Sequence, residues 1–222
     1  MSMKHRLNQL LLGSCLILCC AWSLADTDTP DSRVWDFEVF LNDKPIGHHR
    51  FVLRPDDNGY RLQTEAEFEV NVLFFTAYRY EHENVELWKN GCLKSIDART
   101  NDNGQALKVK GTQEDNRFSL ARIEGSETLE AGCVRTFAYW DLSALQADRL
   151  LNSQTGEYQQ VELRPMGPDQ IRINGRVVDA MRYALIGQDL SLQLWYGSDG
   201  DWLKLSSIVE SGRELRYERV NS

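Results

Sequence analysis

A strict alternation of apolar and polar side chains between Tyr60 and Val72 constrains the fold of this chain more than any other feature. One set of alternate positions is mostly apolar and the other is polar throughout; the apolar set is Tyr60, Leu62, Thr64, Ala66, Phe68, Val70 and Val72. Because successive side chains of an extended strand point to opposite faces, this pattern predicts a β-strand with one buried and one solvated face. A weaker version of the same pattern covers Trp35 to Leu41.

Short segments typical of tight turns separate such runs along the chain: Asn42-Asp43-Lys44-Pro45, Asp56-Asp57-Asn58-Gly59, Asn90-Gly91, Asp102-Asn103-Gly104, Asn174-Gly175 and Asp199-Gly200. Asn-Gly and Asp-Gly readily adopt the positive φ that two-residue hairpins require. The sequence therefore predicts an antiparallel meander with strands near 34–41, 46–53, 60–73, 77–88, 92–99, 105–111, 117–123, 133–139, 157–164, 169–173, 176–185, 189–196, 202–209 and 213–220.

One segment departs from this pattern. Between Asp141 and Asn152, four leucines lie at roughly helical spacing behind an aspartate that is suited to cap a helix. The predicted fold class is thus all-β, an antiparallel meander forming a curved sheet or half-barrel, with one short helix near 141–152. A closed barrel and a sandwich are the alternatives that also hide one face of so many strands. A curved sheet larger than its own side chains can fill encloses a cavity.

The N-terminus has the composition of a secretory signal peptide. Lys4 and Arg6 precede an apolar run from Leu10 to Trp22, and Ser23-Leu24-Ala25 supplies small residues where a signal peptidase reads. We expect cleavage after Ala25, a single domain over residues 26–222, no transmembrane anchor and a periplasmic location. In the alternative, Leu12-Gly13-Ser14-Cys15 acts as a lipoprotein cleavage site.

The charge of the chain limits the classes of partner that it can bind, and its cysteine content indicates the redox compartment. Loss of Lys4 and Arg6 with the signal peptide leaves 23 basic and 33 acidic residues, a net charge of −10. This acidity argues against nucleic acid as a partner, because such binding needs basic patches. Only Cys92 and Cys133 remain in the exported chain, and an oxidising compartment favours a disulfide between them over two free thiols.

Residues able to carry catalysis or bind a metal are few. His48 and His49 are adjacent, so a strand directs them to opposite faces, and a metal site would need one of them together with His82 and Glu81 or Glu83. No nucleophile elbow, phosphate-binding glycine loop or Cys-x-x-Cys motif occurs in the sequence. We predict no metal, no cofactor and no catalytic residue, and an enzyme is the less favoured class.

Aromatic residues give the stronger signal for a binding site. Leu73 to Tyr78 is apolar on both faces of the predicted strand, which is typical of a buried bend or of the rim of an apolar cavity. The predicted ligand-binding residues are aromatic side chains from three such runs together with one neighbouring arginine: Phe74, Phe75, Tyr78, Arg79, Trp140 and Trp195. An arginine at a cavity mouth suits a carboxylate or phosphate group.

The motifs 74–83, 88–93, 137–140, 150–156 and 194–196 together resemble a family of uncharacterised exported bacterial proteins, a domain of unknown function. The resemblance covers nearly all of the exported chain and implies no established activity. More loosely, the predicted architecture is similar to that of the LolA and LolB lipoprotein carriers, which hold acyl chains beneath a half-closed barrel. That likeness implies a lipid or another apolar ligand, but no residue roles.

The sequence thus favours a periplasmic binding or carrier protein for a lipid or other apolar ligand held in the cavity of a curved sheet. The first alternative is an envelope interaction protein that binds a protein partner through a sheet edge or an aromatic patch. The second is an enzyme of lipid or polysaccharide modification built around His82, Glu81 or Tyr78.

Overall fold

A computed structural model describes residues 32–57, 59–72, 75–130, 132–209 and 212–220. Strands dominate this part of the chain: β1 Arg33–Leu41, β2 Lys44–Asp56, β3 Gly59–Val72, β4 Phe75–Lys89, β5 Cys92–Asp102, β6 Gln105–Glu114, β7 Arg117–Arg122, β8 Gly125–Glu130, β9 Arg149–Leu151, β10 Tyr158–Ile173, β11 Arg176–Gly187, β12 Ser191–Tyr196, β13 Trp202–Ile208 and β14 Glu214–Arg219. Among the described residues, no helix is long and apolar enough to cross a membrane. The signal peptide predicted over residues 1–25 lies outside the described residues.

All of these strands join one sheet of sequential antiparallel neighbours. Strands β1 to β8 follow one another in one direction, β14 to β9 follow one another in the other, and the pairing of β1 with β14 joins the two halves. The expected positive φ occurs at Asn90, Asn103 and Asn174, each in a hairpin turn. In the described chain the end strands β8 and β9 do not pair with each other, so the sheet does not close into a barrel. The predicted all-β meander and half-barrel are confirmed.

The alternation seen in the sequence determines which face is buried. In β1, Trp35, Phe37 and Val39 are fully buried while the intervening side chains are partly exposed. Trp35 lies opposite Phe51 of β2 and Val39 opposite Tyr217 of β14, so the same face continues across the seam between the halves. A one-residue slip would turn each apolar set to solvent, which fixes the register.

One large core fills the concave face and contains residues from both halves. Phe118 and Leu120 of β7, at one end of the sheet, belong to the same buried cluster as Leu194 of β12 and Trp202 of β13. At the seam, the rings of Phe37 and Trp202 have centroids 4.4 Å apart. Because strands so far apart in the sheet share one core, the sheet must curve around it.

A segment of residues 132–148, here called the crossing segment, runs over the concave face from one half to the other. At its start, Leu93 N donates to Val134 O at 2.9 Å; further on, the Tyr196 hydroxyl donates to Tyr139 O at 2.8 Å. The side chains of Val134 and Leu145 are buried in the core. The crossing segment therefore closes part of the half-barrel from inside.

The predicted disulfide is present between Cys92 and Cys133, with Cα atoms 5.0 Å apart. Cys92 begins β5 directly after the β4–β5 turn, and Cys133 lies at the start of the crossing segment. The bond therefore ties this segment to the end of the β4–β5 hairpin in the first half.

Two sequence predictions differ in detail from the structure around the crossing segment. The strand predicted at 133–139 is extended chain with a single bridge, from Thr136 to Leu151, because its backbone turns across the interior instead of joining the sheet. The helix predicted near 141–152 is reduced to a 3-10 turn at Ala144–Gln146. Its last two leucines instead form β9, where Leu151 pairs with Tyr158 and both leucine side chains are fully buried.

Candidate ligand cavity

A cavity of about 280 Å³ lies on the concave side, between strands β2 to β4, strands β12 to β14 and the crossing segment. The residues that line it come from both halves of the sheet and from the loop after β9: His49, Phe51, Leu62, Thr64, Tyr80, His82, Asn84, Glu86, Thr136, Phe137, Tyr139, Asn152, Ser153, Gln154, Gln159, Leu190, Leu192, Leu205, Leu215 and Tyr217. The volume is at the lower end of the range for small-molecule sites. Asn152, Ser153 and Gln154 are only half-buried, so this loop lies where the cavity meets solvent.

One wall of the cavity is polar, and β3 and β4 supply most of it. In β4 the buried positions between Tyr80 and Trp88 are His82, Asn84 and Glu86, which alternate with exposed or half-exposed neighbours. Thr64 of β3 lies directly opposite Asn84 in the antiparallel register. The period-2 rule therefore directs these side chains to the interior, although they are polar.

Glu86 is almost completely buried, and its carboxylate accepts three hydrogen bonds. Asn84 Nδ2 donates to Oε1 at 2.9 Å, while Trp88 Nε1 at 2.7 Å and Thr136 Oγ1 at 3.2 Å donate to Oε2. Burial raises the pKa of this carboxyl above its ordinary value, and the three hydrogen bonds partly offset that rise. None of the described residues lining the cavity is Lys or Arg, so the carboxylate has no cationic partner there.

Two histidines share the interior with Glu86. The ring of His82 is buried, with Nδ1 2.8 Å from Thr100 Oγ1, and burial lowers its pKa to about 4. His49 stacks on Phe51 at 4.1 Å between centroids, and its Nδ1 is 3.2 Å from the Tyr217 hydroxyl. Burial first, and the neighbouring His82 second, lower the pKa of His49 well below 6.5. Both rings are therefore neutral at neutral pH.

Three polar atoms at the cavity wall lack a hydrogen-bond partner in the described structure: His49 Nε2, Thr64 Oγ1 and Asn84 Oδ1. Leaving a buried polar atom unpaired costs about 1–3 kcal/mol, so folded proteins rarely do so without a reason. Three such atoms around one cavity indicate a place for a polar group from outside the chain.

The opposite wall is apolar and aromatic. Leu192, Leu205 and Leu215 line it from the second half, together with the rings of Tyr217 on β14 and Phe51 on β2. The cavity therefore has a polar end and an apolar end, which matches an amphipathic molecule better than a purely apolar one.

Tyr80 connects the cavity to the loop at its opening. Its ring stacks on Phe68 at 5.2 Å, and its hydroxyl donates to Gln154 Oε1 at 3.1 Å. Gln154 Nε2 in turn donates to Asp102 Oδ2 at 3.4 Å. The loop after β9 is therefore hydrogen-bonded to both strands of the β4–β5 hairpin. These contacts join parts of the chain that are far apart in sequence at one edge of the opening.

The residues predicted from sequence to bind a ligand lie elsewhere. Phe75 begins β4 with 60% of its surface exposed, the Tyr78 hydroxyl donates to Asp102 Oδ1 at 2.8 Å, and Arg79 pairs with Glu69 at 2.9 Å. Trp140 packs edge-to-face on Trp88, with centroids 5.6 Å apart. None of these lines the cavity described above. Phe74 lies outside the described residues.

Trp195 faces away from the cavity as well. It belongs to a small separate cluster with Ile171, Ala180 and Leu203, and its Nε1 donates to Asp169 Oδ2 at 2.8 Å. Its strand neighbours Leu194 and Tyr196 belong to the main core, so Trp195 lies on the other face of the sheet. A ligand role for this residue and for the aromatic residues above stays a prediction.

From the sequence, His49 is a candidate only for a metal site, His82 only for a metal or enzyme site, and no site role is predicted for Thr64, Asn84 or Glu86. In the described residues, no group of three His, Cys, Asp or Glu side chains is placed to hold a metal ion. The signal available was the polar inner register of β4: from Glu81 to Glu86 both faces of the strand are mostly polar. A strand in the middle of a sheet with a polar inner face indicates a buried polar site.

The fold and the cavity define a barrel-like all-β protein with an internal amphipathic cavity. The chain belongs to the domain of unknown function DUF6134, whose family profile matches residues 37–220. The membership in a family of unknown function that the motifs implied is thus confirmed.

A solved structure agrees with this fold. The crystal structure of a beta-barrel-like protein of domain of unknown function DUF1849 from Brucella abortus superposes with a TM-score of 0.58 at 8% sequence identity, covering 86% of this chain and 95% of that one. At this identity the likeness concerns the fold alone. No curated protein sequence matches the chain.

Proposed function

We propose that this protein is a periplasmic binding protein that holds one small amphipathic molecule in the cavity between its two half-sheets. The observation that carries the proposal is the set of three unpartnered polar atoms on residues that line one cavity together with apolar side chains. A ligand would pair with these atoms and cover the leucine side chains, and both effects favour binding.

The cavity limits the size of this molecule. At about 280 Å³ it is smaller than the sites of most drug-sized ligands, and a lipid with two long acyl chains exceeds it. The general proposal of a lipid or other apolar ligand is therefore narrowed to a small molecule with one polar end and a short apolar body.

Native mass spectrometry of protein purified from a periplasm tests this function, followed by denaturation and identification of the released small molecules. We expect one equivalent of a bound molecule on the wild-type protein. Leu192→Phe enlarges a buried side chain at the apolar wall and should abolish this mass.

Val177→Phe is the matched control, because Val177 is 54% exposed on the neighbouring strand β11 and does not line the cavity. This variant should retain the bound molecule. A wild-type protein that carries no small molecule, or a Leu192→Phe variant that carries as much as wild type, would overturn the proposal.

The alternative function, assembly with an envelope protein, has one structural feature in its favour. Within the described chain, β8 pairs only with β7, which leaves its other edge free, whereas the other edge of β9 is partly occupied by the bridge from Thr136 to Leu151. Free edges accept an added strand from a partner. A ligand-free protein that co-purifies with a stoichiometric envelope protein would favour this function over the first.

A further inference from the structure

We propose that the molecule held in the cavity is an amine, and that its ammonium group pairs with the carboxylate of Glu86. This inference rests on the proposed function and adds the chemical class of the ligand.

The polar wall offers mainly acceptors. Asn84 and Trp88 both use their nitrogen donors on Glu86, and Thr136 uses its hydroxyl there as well. With its nitrogen turned to Glu86, Asn84 has its Oδ1 left without a partner, as is the hydroxyl of Thr64 at the paired position of β3. Asn84 Oδ1 can only accept a hydrogen bond and the Thr64 hydroxyl can accept one, so a group that brings hydrogen-bond donors fits this part of the wall.

The charge around Glu86 points the same way. The influences on its carboxyl are burial and three neutral hydrogen bonds, with no contribution from a charged side chain. His49 and His82, the titratable rings of the same wall, are neutral at neutral pH. Burial without a countercharge disfavours the ionised form of this carboxyl, and an ammonium ion placed beside it stabilises the carboxylate.

The rest of the cavity is compatible with a cation and poorly suited to an anion. Aromatic rings of Phe51, Tyr80, Tyr139 and Tyr217 line it, and the faces of such rings attract cations. An anionic group would meet Glu86 and, among the described lining residues, no Lys or Arg. The whole chain is acidic as well, with a net charge of −8, which favours the approach of cations.

Isothermal titration of the purified wild-type protein at neutral pH tests the class of ligand with three probes that share one apolar body: octylamine, octanol and octanoate. We expect octylamine to bind at least tenfold more tightly than octanol, and octanoate to bind most weakly. Octanol or octanoate binding as tightly as octylamine would overturn the inference.

Two variants locate the preference. Glu86→Gln keeps the size of the side chain and one of its two acceptor oxygens but removes the charge, so octylamine and octanol should then bind within about threefold of each other. Glu83→Gln makes the same change at an exposed position of the same strand and should keep the wild-type preference. A Glu86→Gln variant that keeps the tenfold preference would contradict the pairing.

The test of the ligand class and the test of the binding function can fail independently. If Glu86→Gln fails to fold, titration of the three probes into the wild-type protein alone decides the ligand class. If the periplasmic protein carries a bound acid or alcohol, the binding function holds and the amine inference fails. If octylamine binds selectively but the periplasmic protein carries nothing, the inference about the site holds and the proposed function fails.

Discussion

At the scale of single residues, the inner face of β4 buries polar side chains at a cost in folding free energy that packing does not explain. His82, Asn84 and Glu86 occupy positions that hydrophobic side chains fill in β1 and in most of β3. A buried histidine held neutral and a buried carboxyl without a countercharge both lower the stability of the folded chain. Local rules are usually broken in this way at functional sites, which supports the assignment of this wall to ligand binding.

The lowered pKa of His82 predicts how stability depends on pH. The unfolded chain binds a proton on this ring below about pH 6.5, whereas the folded chain does so only near pH 4. Stability is therefore fully present above pH 6.5 and is lost as pH falls towards 4, by about 3 kcal/mol at most. His49 shifts in the same direction.

Urea unfolding between pH 4.5 and pH 7 measures this effect. The free energy of unfolding of His82→Gln should fall less steeply with acidification than that of wild type. Glu86 acts with the opposite sign, because a raised carboxyl pKa makes the folded chain bind more protons just above pH 4.5. Glu86→Gln should therefore steepen the acid loss, and identical slopes for all three proteins would contradict this account.

At the scale of elements, the crossing segment determines both the core and the cavity. It passes from the β4–β5 turn to the far half of the sheet, and Thr136, Phe137 and Tyr139 along it line the cavity. Its backbone makes few sheet hydrogen bonds, so buried side chains and the Cys92–Cys133 disulfide hold it in place.

Replacing both cysteines by serine tests this dependence. On the chain-entropy account, loss of a disulfide that closes a loop of this length destabilises a protein by about 2–4 kcal/mol. We expect that loss in thermal unfolding, together with weaker binding of octylamine, because Thr136 would no longer be held against Glu86. An unchanged melting temperature in Cys92→Ser/Cys133→Ser would show that packing alone positions the segment.

The elements also show how far sequence reasoning reaches. Hairpins such as β2–β3 were predictable because alternation and turn residues are local signals, and the disulfide was predictable from the cysteine count. The path of residues 132–148 was not, because its extended backbone bonds to partners distant in sequence, such as Leu93 and Tyr196. The cavity was missed for the same reason: its walls come from strands that meet only through the curvature of the sheet.

At the scale of the whole molecule, the two halves are joined at the seam between β1 and β14 and share one core. Trp202 is completely buried there against Phe37, Phe51 and Tyr139, with ring centroids 4.4 to 5.1 Å away. The halves have separate hairpins but, within the described chain, share one main core, and only the small cluster around Trp195 belongs to one half alone. The molecule should therefore unfold in one cooperative transition.

Comparing Trp202→Ala with Trp195→Ala tests whether the two halves unfold together. The second variant removes the same side chain from the small cluster on the other face of the sheet. Truncation of a fully buried tryptophan costs about 3–5 kcal/mol. We expect that loss for Trp202→Ala, with circular dichroism and tryptophan fluorescence still giving coincident urea transitions. Trp195→Ala should cost clearly less, because Trp195 contacts a core of only a few residues. Two separated transitions in Trp202→Ala would instead mean that each half-sheet folds on its own, and the cavity between them would then be an interface between two folding units.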